Sequence, residues 1–323
     1  MKTSPGRYKI HMNGIIIVDK PTGWTSHDVV AKLRGALGEK RIGHGGTLDP
    51  MATGVLPVFI GRATRAVEFC ENADKEYIAG LKLGLVTDTQ DTTGSILSSC
   101  ETAVSAAELS EMLPRFLGPQ KQLPPMYSAI KVGGKKLYEL ARRGIEVPRA
   151  ERDIYIHSIE LLELESGEET QVLPPCIEPE ATGLPQRFTC FTLKVTCSKG
   201  TYIRTLCHDI GAALGCGGVM SSLRRVRAGA FTIDMAHPLD ELLAAASSGV
   251  AESMLMPVDS LFCEYPSIVL GETEARKCKN GAPISIANTK DGIYRFYGPD
   301  NEFLLLGKIE GGSLRTIKSF FSN

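Results

Sequence analysis

The sequence predicts a mixed α/β domain followed by a small all-β module, and three observations carry that reading. At about 150 residues per domain, 323 residues leave room for two, and 43% hydrophobic with 23% charged residues is ordinary globular usage. Strand-like alternation and helix-like periodicity interleave along the first 260 or so residues without strict βαβ repetition. Beyond a boundary near 259–266, short apolar runs at 268–270, 293–297 and 303–306 alternate with Gly, Asn, Asp and Pro turns. The domains are accordingly set at 1–260 and 261–323.

Taken in order, a short strand is predicted over 14–18, where Ile15, Ile16, Ile17 and Val18 form a strand-sized apolar run. Thr25 or Ser26 opens a helix with Val29, Val30, Leu33 and Leu37 on one face and Gly38 at its end. Residues 39–54 show little periodicity and read as a loop. A buried strand follows over 55–60, and an alternating one over 75–83 places Tyr77, Ala79, Leu81 and Leu83 on one face. Helical patterns recur at 106–117 and 135–143. Phe191, Leu193, Val195 and Cys197 share a strand face, after which Ile203, Leu206, Ile210 and Leu214 mark a helix ending near Gly215. The Pro-, Glu- and Gly-rich segment 165–188 reads as an exposed, mobile acidic insertion.

Overall charge excludes little: 36 Lys+Arg against 37 Asp+Glu give a net −1. Its distribution says more. Residues 32–65 hold six Lys/Arg against two Asp/Glu, 131–152 hold seven against three, and 199–227 hold five against one. Residues 153–188 hold eight Asp/Glu against Arg187 alone. Three basic segments that also carry the Gly-rich motifs point to a polyanion-binding cleft. No apolar stretch reaches the roughly 18–20 residues of a membrane span, and the first 13 residues lack the apolar core of a signal peptide. Nine cysteines without a C-x-x-C pair or close Cys/His spacing favour reduced thiols and a cytoplasmic protein that holds no zinc.

The densest signal is HGGTLDPMATG at 44–54, a loop carrying one carboxylate, Asp49, between Leu48 and Pro50. Its glycines permit close backbone approach to a ligand, although Gly-Gly and Asp-Pro also punctuate ordinary turns. It matches no phosphate-loop pattern. No D-x-D, H-E-x-x-H or G-x-S-x-G companion appears, which leaves Asp49 for metal-free covalent or general-base work. Such a carboxylate needs a neighbouring cation to stay ionised, and Arg204, in SKGTYIR at a strand-to-helix junction where Gly and Thr supply turn and cap, is the candidate. Tyr77 reads either as a core aromatic or as a stacking surface for a flipped base. The segment PPMYSAIK running into GGKKLY, and LRRVR at 223–227, add basic material.

In combination these residues resemble the TruB family of tRNA pseudouridine synthases. The resemblance rests on GIIIVDKP at 14–21, GHGGTLDP at 43–50, KEY at 75–77, DTQD at 88–91, PPMYSA at 124–129, KGTYIR at 199–204 and LRR at 223–225. It implies a pseudouridine-synthase-like fold, with a largely antiparallel sheet and a central cleft, ahead of a small β-rich PUA-like domain. It also implies isomerisation of the T-loop uridine at tRNA position 55 with base flipping and without cofactor or metal, acting on the tRNA T arm, with no membrane and no obligatory protein partner. By the resemblance Asp49 is the nucleophile, Tyr77 stacks on the target base and takes part in removing its C5 proton, and Arg204 pairs with Asp49. Tyr202 lines the pocket, His44 packs against displaced T-loop nucleotides, Gly45, Gly46 and Thr47 bind substrate, and Lys20 and Arg65 join a basic RNA-binding rim.

Overall fold

The run Ile15-Ile16-Ile17-Val18 makes β1 (Gly14–Lys20) a strand buried on both faces. The computed structural model describes residues 12–162 and 188–321. The predicted acidic insertion at 165–188 therefore lies, but for Phe188, outside the described residues. Helix α1 (Ser26–Leu37) starts at a capping box, in which Thr25 Oγ1 accepts from the Asp28 amide and the Asp28 carboxylate accepts from the Thr25 amide, each at 3.0 Å. It ends at Gly38, with φ 64°.

The loop reading of 39–54 needs one correction. A three-residue strand, β2 (Ile42–His44), pairs antiparallel with β3 (Thr53–Ile60), joining Ile42 to Ile60 and His44 to Val58. Three residues are too few to display a period, so the partner strand defines this one. A 3₁₀ turn at Gly61–Ala66 and helix α2 (Val67–Asn72) lead to β4 (Lys75–Leu83). The hairpin β5 (Leu85–Thr87) and β6 (Ile96–Ser99) follows, then α3 (Ala106–Met112), which tightens into a 3₁₀ turn at Leu113–Phe116 where Pro114 removes an amide donor. After β7 (Gly118–Gln122), the helix predicted at 135–143 is shortened to α4 (Leu137–Ala141), because Lys135 and Lys136 pair as β9 (Lys135–Lys136) with β8 (Lys131–Val132).

The long strands β10 (Arg152–Leu162) and β11 (Thr189–Cys197) precede α5 (Ile203–Ala213) and β12 (Gly218–Ala228). Short β13 (Phe231–Thr232) and β14 (His237–Pro238) lead to α6 (Leu239–Ser248). One ten-stranded sheet gathers most of these in the order β14-β1-β3-β12-β4-β11-β10-β7, with β2 and β13 pairing off that path. The pairings β1–β14 and β3–β12 are parallel and the others antiparallel. Gly54, with φ 97°, permits the β3–β12 approach: an added Cβ would sit 2.2 Å from the Arg225 carbonyl oxygen.

Three apolar clusters pack on this sheet, two of them against its helices. Leu81, Leu193 and Val195 pack with Leu206 and Ile210 of α5, while Ile16 and Val18 pack with Leu33 of α1 and Leu242 of α6. The C-terminal strands β15 (Ser267–Val269), β16 (Gly292–Tyr297), β17 (Phe303–Glu310) and β18 (Ser313–Ser319) form a separate four-stranded sheet with helix α7 (Glu272–Lys279). Phe262, Phe303 and Phe320 join this module to Phe59 of β3 and Phe69 of α2. Among the described residues no helix is long and apolar enough to cross a membrane.

Candidate active site

The fold converts residues distant in sequence into one cluster at the start of β3. The loop before β3 carries Asp49, and β12 and β4 lie next in the sheet, with Tyr77 directly across from Arg225. Helix α5 brings Arg204 over this point. Arg204 Nε lies 2.9 Å from Asp49 Oδ2. The Nε atom is buried and has no aligned hydrogen-bond acceptor among the described residues, so the contact is chiefly one of charge.

The guanidinium is held independently of Asp49. Nη1 donates to the Thr89 carbonyl at 3.2 Å and Nη2 to the Tyr127 carbonyl at 2.9 Å, in a residue only 4% exposed. A second carboxylate, the buried Asp91, faces Nη1 at 3.8 Å. Its Oδ1 is occupied by Thr89 Oγ1, the Thr93 amide and Thr93 Oγ1 at 2.6–2.9 Å. Between Thr89 and Asp91, Gln90 takes a left-handed conformation at φ 63°, a costly choice for a side chain with a Cβ. The turn turns the Thr89 carbonyl and the Asp91 carboxylate toward one arginine. DTQD was legible as a motif, but nothing in its spacing marked Asp91 as a partner of Arg204.

Asp49 is partly accessible, with its side chain 37% exposed, against 5% for Arg204. Burial pushes its carboxyl up, Arg204 opposes that push most strongly, Asp91 adds to it, and Lys20 opposes it further. The net direction is upward from the ordinary carboxyl value, in a side chain that solvent reaches and against which Arg204 sets its charge.

Its loop is tied down residue by residue. Ser26, the first residue of α1, accepts from the Leu48 amide at 2.8 Å and donates to the Leu48 carbonyl at 3.2 Å. Lys20 Nζ donates to the carbonyls of Ala52, Pro21 and Pro50 at 2.6, 2.9 and 3.3 Å. Arg225, 1% exposed, donates from Nε to the Val55 carbonyl and from Nη2 to the Gly46 carbonyl, at 2.7 and 3.1 Å. Carbonyl oxygens thus stand where carboxylates usually would.

This arrangement corrects three readings. Lys20 is 0% exposed, so it belongs to no surface rim; burial, with Arg225 nearby, pulls its ammonium down to about 8. The run LRRVR does not offer all its cations to a polyanion: Arg225 is interior, and Arg224 pairs with Asp19 through Nη2–Oδ2 at 2.8 Å and Nη1–Oδ1 at 3.1 Å. Thr201 does not cap α5. Its hydroxyl donates to the Ser198 carbonyl, and the cap position is Tyr202, which makes no side-chain capping bond.

The remaining residues divide. Tyr77 is 8% exposed and packs in the cluster that holds Leu48; burial raises its phenol, an effect the Arg225 guanidinium counters. Tyr202 is half-buried, and burial raises its phenol too. His44 ends β2 with its Nδ1 buried and unpartnered among the described residues; burial, then Arg225 and His27, lower the imidazole to about 4, so it is neutral near pH 7. Gly45 packs tightly on the core, since an added Cβ would lie 2.7 Å from Cys70 Sγ and 3.0 Å from Phe59 Cε2. Gly46 has φ 95°, and Thr47 is exposed. Arg65 lies apart, its Nη1 donating to the Ser319 carbonyl at 3.1 Å on the C-terminal module.

Two family models match the chain: the TruB family pseudouridylate synthase N-terminal domain over residues 34–203, and the tRNA pseudouridylate synthase B C-terminal domain over residues 204–262. A tRNA pseudouridine synthase B of Clostridium kluyveri is 38% identical over 314 residues, covering 96% of this chain and 100% of that one. One of Alkaliphilus oremlandii is 43% identical over 289 residues, covering 90% and 88%. Among solved structures, an H/ACA ribonucleoprotein bound to a substrate RNA containing 2′-deoxyuridine aligns at a TM-score of 0.68 and 25% identity over 99% of this chain and 88% of that one. A Cbf5–Nop10–Gar1 complex aligns at 0.68 and 26% identity over 99% and 91%.

Proposed function

The chain belongs to the TruB family of pseudouridylate synthases, isomerases that convert uridine to pseudouridine, and from that premise we propose that it acts on the T-loop uridine at position 55 of tRNA with Asp49 as the reacting carboxylate. The reaction breaks the bond between N1 and ribose C1′, turns the uracil, and joins C5 to C1′. The C5 proton leaves and N1 gains one, so no atom is lost and no cofactor is required. An ionised carboxylate serves whether it attacks ribose C1′ or uracil C6.

The observation that carries this reading is the 2.9 Å pair between Arg204 and a partly accessible Asp49 on a loop fastened by buried donors. Holding the carboxylate in place before substrate arrives supplies the positioning that the chemistry needs. Tyr77, beside it, offers a ring edge to an extruded base, and Tyr202 and His44 offer further surface around the pocket. A loop uridine is cheaper to extrude than a stacked duplex base, which costs a few kcal/mol. The lysines and arginines of 131–152 serve the tRNA phosphates and make binding salt-dependent.

The test is tritium release from C5-labelled uridine in unmodified tRNA, with the product position mapped, for wild type and Asp49→Asn. Wild type releases tritium at position 55, whereas Asp49→Asn loses at least a thousandfold in rate while its tRNA affinity stays within a few-fold. Sustained turnover by Asp49→Asn would remove Asp49 from the chemistry. Release mapped to another RNA loop would keep the chemistry and discard the target.

A further inference from the structure

The helix that carries Arg204 begins without a cap of its own, yet its first turn is held from outside. Gln122, the last residue of β7 and 4% exposed, grips the Tyr202 peptide from both directions: its Oε1 accepts from the Tyr202 amide at 2.7 Å, and its Nε2 donates to the Tyr202 carbonyl at 3.0 Å. Tyr202 stands two residues before Arg204. Five residues after Gln122, the Tyr127 carbonyl accepts from Arg204 Nη2 at 2.9 Å. On the other side, Thr205 Oγ1 donates to Gln90 Oε1 at 2.8 Å. One short segment, 122–127, therefore fixes both the backbone at the start of α5 and the guanidinium that α5 presents.

We propose that Gln122 is a positioning residue for Arg204, setting the first turn of α5 so that Nε meets Asp49 Oδ2. A leucine at this position would fill similar space but offer neither amide atom. The Tyr202 amide would then lack an acceptor at a helix start that provides none, and the turn would shift. A displacement of about 1 Å at a reacting group costs on the order of a hundredfold in rate.

This inference rests on the reading of Asp49 as the reacting carboxylate, and its test has one arm that needs no reaction. In protein labelled with ¹⁵N-arginine, the buried Arg204 Nε–H is assigned by its loss in Arg204→Met. In Gln122→Leu that signal shifts and exchanges faster with solvent. The second arm is single-turnover pseudouridine formation, in which Gln122→Leu is about 30-fold slower with tRNA affinity within about threefold. The acid limb of its pH–rate profile moves to higher pH, because Asp49 loses the cation that opposes its burial. Added to Arg204→Met, Gln122→Leu costs nothing further. Gln122→Met, similar in length and without either amide atom, gives the same pattern should the leucine variant fold poorly. An unmoved Nε–H signal, or losses that add in the double variant, would overturn the proposal. Wild type inactive on tRNA would sink the proposed reaction and leave the resonance test standing.

Discussion

At the scale of single residues, the cluster around Asp49 separates charges that act from charges that hold. Arg204 faces the carboxylate, whereas Lys20 and Arg225 spend their donors on carbonyls of the loop that carries it and of the start of β3. His44 is a third case, a ring kept neutral by burial. Its folded value of about 4 lies below the ordinary 6.5, so between those values the unfolded chain binds a proton that the folded chain refuses. Stability contributed by His44 is thus complete above about pH 6.5 and is lost as pH falls toward 4. Urea unfolding of wild type and His44→Phe across that range checks this: the variant loses less stability on acidification, and parallel curves would contradict it. The acid, the tyrosine and the arginine of the cluster were legible as types within motifs. Asp91 and Gln122 were not, since their roles depend on a turn at positive φ and on a strand end meeting a helix start.

At the scale of elements, the helix and long-strand signals held because they were local. The Thr25–Asp28 box, the alternation of β4 and the periodicity of α5 each need only a few neighbours to be read. Several elements escaped, among them the long strands β10 and β12 and helix α6, and the shortest of them, β2 and the β8–β9 pair, exist because a partner lies alongside. The junction between α1 and the Asp49 loop has the same character, since Ser26 opens the helix and also brackets the Leu48 peptide. Ser26→Ala removes both bonds from a buried site, and we expect about 1–2 kcal/mol of lost stability in urea unfolding. The single-turnover rate should fall about tenfold with tRNA affinity unchanged, as the residue beside Asp49 loses its tether. Unchanged rate in a stably folded variant would show that Lys20 and Arg225 suffice to fix the loop.

At the scale of the whole molecule, the interface between the larger sheet and the C-terminal module leaves a cleft of about 720 Å³ lined by Arg41, Arg62, Arg65 and Lys279. These cations come from segments far apart in sequence, and Arg65 and Lys279 reach the cleft even though their own partners, the Ser319 carbonyl and Glu302, lie in the module. Under the proposed function such a cleft suits phosphates of the tRNA outside the T loop. Arg62→Gln with Arg65→Gln should weaken tRNA binding about equally for all tRNA sequences and reduce the slope of log affinity against log salt by about one per lost contact. An unchanged slope would place the RNA elsewhere. Activity at saturating tRNA stays near wild type, because neither side chain approaches Asp49.

The sequence by itself determined the family and those helices and strands whose period is clear, and it offered Asp49 and Arg204 as candidates, since these are written in contiguous motifs; that the two side chains meet was decided by the fold. Tertiary structure alone decided which cations are interior and which face solvent. Lys20, Arg224 and Arg225 sit in basic-looking stretches, yet the parallel approach of β3 and β12 buries Arg225 against loop carbonyls, and Asp19 claims Arg224. A charge in a sequence has no inside or outside until the strands on either side of it are paired. Burial then determines whether that charge binds a substrate or holds the loop that does.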